Sequence, residues 1–289
     1  MFSGRTDLAL ERRDKLSSVP DGVASREYEE NGLHITQIDV VDEEGARALQ
    51  KPMGRYLTAA TKDELLMEDD WIWKTAQSLA GMLRPLLPKR GAVLTVGLGN
   101  RAVAPDALGP LTMEQVVVTR HLIEKMPNEF GDMRPVCALT TGVLGSTGIE
   151  TAEIVRGVMK QVRPKAIIAV DALAARSLER LCRTFQISDT GITPGSGACN
   201  PREALDITAL GVPVIAAGVP TVVDALTLCA DLVGDGADPP EKALPAAQML
   251  VSPKDVDIRV RKCAKVLGYA INLALQGDMT AAEIEQFLS

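Results

Sequence analysis

The stretch Ala92-Val93-Leu94-Thr95-Val96-Gly97-Leu98-Gly99-Asn100 decides the fold. It is a short uncharged apolar run that stops at a glycine-broken turn. Such a run, too short for a helix, reads as a strand buried on both faces. The pattern recurs at Val136-Cys137-Ala138-Leu139-Thr140, at Ala166-Ile167-Ile168-Ala169-Val170, and at Val212-Pro213-Val214-Ile215-Ala216-Ala217. Helical stretches are expected between and after these runs: near 111–126, from Thr151 to Arg163, onward from Leu173 to about 182, and near 221–233. Buried strands alternating with helices predict an α/β fold with a doubly wound, mostly parallel sheet flanked by helices. Pro213 marks the fourth run as an edge strand, because proline cannot donate to a sheet ladder.

Farther out the pattern is looser. Phe185-Gln186-Ile187-Ser188 is expected to be another edge strand, ahead of a Pro/Gly-rich segment at 191–201. Upstream, Ile72, Ala76, Leu79, Leu83 and Leu86 recur at helical spacing and predict a helix from Lys62 to Leu87. Leu33–Val40 reads as a strand, and residues 1–31 as a polar, irregular start. A loop over 234–246 and helices over 254–276 and 280–288 complete the chain. No internal repeat is visible. The expectation is one α/β domain with an N-terminal elaboration.

Composition excludes several function classes. With 289 residues, 46% of them hydrophobic and 24% charged, the chain is long enough to bury a core without disulfides. Only 3% of residues are aromatic, which argues against a stacking platform for single-stranded nucleic acid. The net charge of −7, with no basic stripe, repels a phosphate backbone. Two histidines, His34 and His121, nearly remove His-based catalysis and multi-His metal sites. Five cysteines without C-x-x-C spacing fit reduced thiols in a cytosol, packed rather than reactive. The start of the chain has no apolar signal region, and the uncharged stretch Ala209–Val223 is too short and too broken by Gly and Pro to span a membrane.

In an open parallel sheet, ligands bind beyond the carboxyl ends of the strands. Asp106 follows the first strand in the loop Gly97–Pro110, and Asp171 stands directly at the end of the third. Both are expected to face one crevice. Two carboxylates in one site cannot both ionise cheaply, so they share a proton and can activate a water. The plainer alternative is that each caps a helix. Gly97-x-Gly99 lacks the third glycine of a dinucleotide fingerprint, and the loop 142–148 lacks the lysine of a P-loop. That second loop either offers backbone N–H groups to a carboxylate or a substrate, or is a turn without a ligand. Asp189-Thr190-Gly191 spells the tripeptide of all-β aspartic proteases, but here Asp189 reads as a turn residue.

Longer strings carry a family resemblance. They are Arg5-Thr6-Asp7-Leu8-Ala9, Gly97–Asn100 with Pro105–Pro110, Thr147–Thr151, Val170–Ala174 with Arg176–Arg180, Ile187–Ile192 with Pro194–Gly197, and Gly218–Ala225. The chain resembles the germination proteases of spore-forming bacteria, which degrade small acid-soluble spore proteins. The resemblance implies a fold related to the hydrogenase-maturation endopeptidases, a homotetramer in the cytoplasm of the forespore and spore core, and a zymogen activated by self-cleavage. It implies catalysis by two aspartates, which fall on Asp106 and Asp171. Family substrates are cut after an acid and before a bulky apolar residue, and Thr6-Asp7-Leu8-Ala9-Leu10-Glu11 has that form. Residues 1–7 are therefore expected to be a pro-segment, cut between Asp7 and Leu8, with 8–289 the peptidase domain. Family members carry a dozen or more residues before Arg-Thr-Asp, whereas four precede Arg5 here.

The maturation-type relatives hold a metal with carboxylates and a histidine. No histidine follows residue 121 here, and carboxylates alone would hold a first-row metal weakly. The expectation is a dyad with no metal and no cofactor. Two rival readings remain: a metal-dependent processing peptidase of the maturation type, and a non-enzymatic module that binds a small ligand in the same crevice.

Overall fold

The computed structural model describes residues 4–61, 69–195, 202–233, 241–277 and 279–289. Among the described residues, nine strands form one sheet: β1 (Val23–Glu30), β2 (Leu33–Val40), β3 (Gly54–Thr61), β4 (Val93–Leu98), β5 (Val136–Gly142), β6 (Ala166–Ala175), β7 (Thr184–Ser188), β8 (Val214–Asp224) and β9 (Leu250–Val251). Their order across the sheet is β1-β2-β3-β7-β8-β6-β4-β5, with β9 paired to β8. The strands β5, β4, β6 and β8 run parallel. The sheet is α/β and flanked by helices, as expected, but its parallel part is confined to these four strands. From β8 outward every pairing is antiparallel, because β7 turns back along β8 and the N-terminal meander β1–β3 extends from it.

Three of the four apolar runs, β4, β6 and β8, are buried on both faces as the sequence predicts, whereas β5 is the edge strand and is only partly buried. Val93, Ile168, Val170, Ile215 and Ala217 join a core with Leu79, Leu83, Leu108, Leu267 and Ile271. The alternate residues Leu94, Val96, Ile167, Ala169 and Val214 join a second core with Ala152 and Val155 of the helix Thr151–Val162. Period-2 alternation with both faces apolar is what a sheet covered on both sides requires.

Several expected elements differ. β8 is central, not an edge: it begins after Pro213, whose carbonyl accepts from Ile167 N. Pro220 lies inside β8 next to the register slip between Leu173 and Ala174, where a missing donor is tolerated. β7 is likewise interior, between β3 and β8. The helix expected near 111–126 is two, Leu108–Met113 and Arg120–Lys125. The Asn272 side chain accepts from Val117 N (2.8 Å) and donates to Gln115 O (2.8 Å), satisfying the break between them. No helix follows Leu173: β6 stays extended to Ala175, and a 3-10 turn covers Leu178–Arg180. The helix expected from 221 begins at Ala225, because β8 runs on to Asp224, whose carboxylate accepts from Thr227 N (2.8 Å). Of the helix expected over 62–87, residues 69–83 are helical, and Pro85 confines the next residues to a 3-10 turn; residues 62–68 lie outside the described residues. The N-terminal stretch contains the helix Ala9–Asp14 and strand β1. Helices Val256–Gln276 and Ala281–Leu288 close the chain. Among the described residues, no helix is long and apolar enough to cross a membrane.

Candidate active site

β4 has β5 on one side and β6 on the other. The connection from β4 to β5 includes the helix Leu108–Met113, which packs with the long C-terminal helix. The return from β5 to β6 includes the helix Thr151–Val162, packed on the opposite face. The chain thus reverses direction between β4 and β6, and a crevice opens beyond their carboxyl ends. Asp106 and Asp171 both line it, in a cavity of about 580 Å³ with Gly99, Gly142, Leu173 and Thr221.

Each carboxyl is fixed by a backbone amide. Gly99 turns the chain at a φ of +104°, which glycine adopts without strain. Asn100 N then donates to Asp106 Oδ2 at 2.7 Å. The approach at Gly99 is close: a Cβ there would lie 2.1 Å from Asp106 O and 2.9 Å from its Oδ1. Asp171 lies one residue beyond the last β4 pairing of β6, at Val170, and its Oδ1 accepts from Ala172 N at 2.9 Å. Neither side chain caps a helix. The residue before the helix Leu108–Met113 is Ala107, with no side-chain cap, and Asp171 lies within a strand.

Their electrostatics are unequal. Asp171 is buried, and desolvation first, then the Asp106 charge and the Asp7 charge, hold its carboxyl well above the ordinary range. The hydrogen bond from Ala172 opposes this. Asp106 is half-buried, and desolvation raises it against the pull of the Asn100 amide.

The N-terminal segment is docked beside this pair. Asp7 N donates to Ala174 O at 2.9 Å, and Ala174 N donates back to Asp7 Oδ2 at 2.8 Å. Arg5 N donates to Thr227 Oγ1 at 3.0 Å. Leu8 is fully buried among Leu173, Ala175, Leu181 and Val223. Glu11 locks the turn that follows, its carboxylate accepting from Arg176 N (2.8 Å), Ser177 N (2.9 Å) and the Thr6 hydroxyl. Ala174 and Ala175, where a helix was expected, are extended because they pair with Val222 and Val223 of β8, and the docked segment adds hydrogen bonds to Ala174 on the other side. Asp7 and Leu8 therefore sit on the strand that carries Asp171.

Other predicted residues lie elsewhere. Asp189 is a turn residue whose Oδ1 accepts from Arg55 N at 2.7 Å. His34 pairs with Glu27 at 3.4 Å on the outer hairpin, and His121 lies on the helix Arg120–Lys125. Cys182 and Cys263 are buried in the core, while Cys137 and Cys229 are half-buried; all four are free thiols, and Cys199 lies outside the described residues. The loop 142–148 reaches the cavity through Gly142, Val143, Leu144 and Gly145. Among the described residues, no group of three or more His, Cys, Asp or Glu is placed to hold a metal ion.

Sequence reasoning missed Lys51, Gln186 and Thr221. Lys51 Nζ (2.7 Å) and Gln186 Nε2 (3.2 Å) both donate to Asp7 O, and Gln186 Oε1 accepts from Ala9 N at 2.7 Å. Thr221 Oγ1 is buried at the cavity with no partner among the described residues. The one available signal was the alternation Phe185-Gln186-Ile187-Ser188, which gives β7 a polar face.

A family model described as germination protease matches residues 5–235. A germination protease of Caldanaerobacter subterraneus subsp. tengcongensis is 44% identical, the match covering 98% of each chain. One of Clostridium perfringens is 39% identical over the full length of both. Among solved structures, the [NiFe] hydrogenase maturation protease HycI of Thermococcus kodakarensis KOD1 is 17% identical, with a TM-score of 0.40, covering 67% of this chain and 98% of its own. The family match takes in the docked segment from Arg5 together with Asp106 and Asp171, and with identity sustained over whole relatives the chain belongs to the germination protease family.

Proposed function

We propose that this protease of spore germination is an endopeptidase whose Asp106–Asp171 pair activates a water, and that it removes its own residues 1–7 by the same reaction. The observation that carries the reading is the pair itself. Two carboxyls line one cavity at the switch point of the sheet, and burial together with the charge of Asp106 keeps Asp171 neutral where a free carboxyl would ionise. The ionised partner takes a proton from water as the water adds to the peptide carbonyl. The neutral partner supplies a proton to the departing nitrogen. No metal is needed in this scheme.

The docked segment supports the specificity. An acidic side chain is held by the Ala174 amide, and the apolar residue after it fills the pocket of Leu173, Ala175, Leu181 and Val223. Substrates with an acid before the cut and a bulky apolar residue after it fit the same subsites. Small acid-soluble spore proteins are the proposed substrates, the spore core the proposed site of action, and a homotetramer the proposed assembly. The test is incubation with Thr-Glu-Phe-Ala-Ser-Glu in the presence of a chelator, read by mass spectrometry. Cleavage between Glu and Phe is expected. No cleavage at any bond argues for a binding module, and cleavage that appears only on adding back zinc or nickel argues for metal-assisted hydrolysis.

The electrostatics also predict a pH effect on stability. A carboxyl raised in the folded state adds stability that is fully present below its unfolded value, and that stability is lost as pH rises through the folded value. Asp171→Asn keeps the acceptor for Ala172 N but cannot ionise. Urea denaturation at pH 4 and pH 8 is expected to show the variant gaining on the wild type at the higher pH. Equal differences at both values would mean that Asp171 is not raised.

A further inference from the structure

The carbonyl of the Asp7–Leu8 bond is held more tightly than docking requires. The segment is already anchored by Asp7 to Ala174 on one side, by Arg5 N to Thr227, and by the buried Leu8 and Glu11. Yet two further side chains converge on the single oxygen Asp7 O: the Lys51 ammonium at 2.7 Å and the Gln186 amide at 3.2 Å. They come from distant parts of the chain, one from the turn before β3 and one from β7. A carbonyl in a docked strand is satisfied by one ladder donor. Two convergent donors are what an oxygen acquiring negative charge needs, and negative charge gathering there favours the protonated form of Lys51, which burial disfavours.

The sheet register explains how these donors come to face the aspartates. Asp171 on β6 pairs with Gly218 on β8, and Gly218 pairs with Gln186 on β7. The three occupy one row across the sheet, with Asp171 and Gln186 about 9.5 Å apart, two strand spacings. Their neighbours Val170, Ala217, Phe185 and Ile187 all point into the core beneath the long C-terminal helix. By alternation, Asp171 and Gln186 point to the other face, where the N-terminal segment lies. Between them stands Gly218, where a Cβ would come 2.7 Å from Asp171 O and from the Leu173 side chain. Asp7, Lys51, Gln186 and Gly218 line a cavity of about 430 Å³, and Leu173 is a wall common to it and to the aspartate cavity.

We infer that Lys51 Nζ and Gln186 Nε2 are the donors that hold the oxyanion formed when the Asp7–Leu8 bond is hydrolysed. The inference rests on the reading that the aspartate pair cuts this bond. Water's oxygen bonds to the Asp7 carbonyl carbon, and the carbonyl electron pair moves onto Asp7 O, between the two donors. The pair then returns, the C–N bond to Leu8 breaks, and the Leu8 nitrogen takes a proton. One water proton is thereby balanced on the new amine and the other on the new carboxyl group. A substrate peptide bound in the same register places the carbonyl of its acidic residue at the same two donors.

The test uses the full chain and follows loss of residues 1–7 by intact mass. Lys51→Met removes the cation. Gln186→Glu keeps the acceptor for Ala9 N while removing the donor to Asp7 O. Each is expected to slow the first-order cut about 10²–10³-fold, the range for loss of one oxyanion donor. Lys51→Arg, which keeps a cationic donor, is expected to recover to within about tenfold of wild type. Amide hydrogen exchange over residues 4–11 reads docking alone and is expected to stay within about twofold of wild type in all three, because the anchoring groups remain. Cutting at the wild-type rate in Lys51→Met and Gln186→Glu overturns the inference. So does slow cutting that tracks lost protection, since the two side chains would then serve only docking. Asp171→Asn, run in parallel, separates the premises. If Asp171→Asn cuts normally, the aspartate reading fails. If Asp171→Asn is inert and Lys51→Met is normal, only the donor assignment fails. A wild-type chain that never loses residues 1–7 overturns both.

Discussion

Asp171→Asn and Asp106→Asn are each expected to lower the rate of peptide cleavage at least a hundredfold while leaving a folded protein. The magnitude follows from the role, since a group that transfers a proton in the transition state typically contributes 10²–10⁴-fold. The fold should survive because Asn keeps the acceptors in use, Oδ2 of Asp106 for Asn100 N and Oδ1 of Asp171 for Ala172 N. The two groups interact, so a pH–rate profile of the wild type reports the pair and not either residue. Initial rates on an acidic-apolar peptide, with circular dichroism as the fold control, decide the point. Retention of more than about a tenth of the rate by either variant contradicts a two-carboxylate mechanism. Asp189→Asn, at the turn held by Arg55 N, serves as the mild control.

Gly99→Ala is the second large effect. The backbone there has a φ of +104°, and the added Cβ would meet Asp106 O at 2.1 Å. The Cβ collides with backbone, so no side chain can rotate away to relieve it. The 3-10 turn Ala104–Asp106 has to move, and the Asp106 carboxyl moves with it. A displacement of about 1 Å at a catalytic group can cost about 10²-fold in rate. Strain in this region adds a stability loss of about 1–3 kcal/mol. Rate and denaturation midpoint are both expected to fall, the rate far more than a midpoint shift alone would explain. A variant with wild-type kcat would mean that the Gly99 turn does not set the position of Asp106.

The parallel half of the sheet was legible because its strands are uncharged runs, three of them covered on both faces, a property of local composition. That Asp106 and Asp171 share a crevice was legible because Asp171 directly ends one such run and Asp106 lies in the loop that follows another. The antiparallel half was harder. Gln186 alternates with Phe185 and Ile187, which is how an edge strand covered on one face reads, yet β7 lies between β3 and β8. What covers its polar face is the N-terminal segment, about 180 residues away in sequence, and no window of residues contains that fact. Pairing with Val222 and Val223 of β8, another distant stretch, keeps Ala174 and Ala175 extended where their composition favours a helix. Lys51 was invisible for a related reason, because a lysine in a turn reads as solvated until the carbonyl it binds is known. Pro213 misled because the proline rule applies inside a strand, and β8 starts one residue later.

The order of strands has a consequence for synthesis. β3 leaves the ribosome early, but its sheet neighbour β7 starts about 120 residues later, and β7 is joined to β6 only through β8. The pocket around Leu8 needs Val223, and the anchor for Arg5 N needs Thr227. A nascent chain therefore holds Lys51, Gln186 and the two aspartates in separate pieces until β8 has emerged. At about 5–20 residues per second, some 225 residues take about 10–45 s to make. Under the proposed mechanism, the Asp7–Leu8 bond would be protected by incompleteness through that interval, and self-cleavage would be open only to a chain that has finished building the sheet around it.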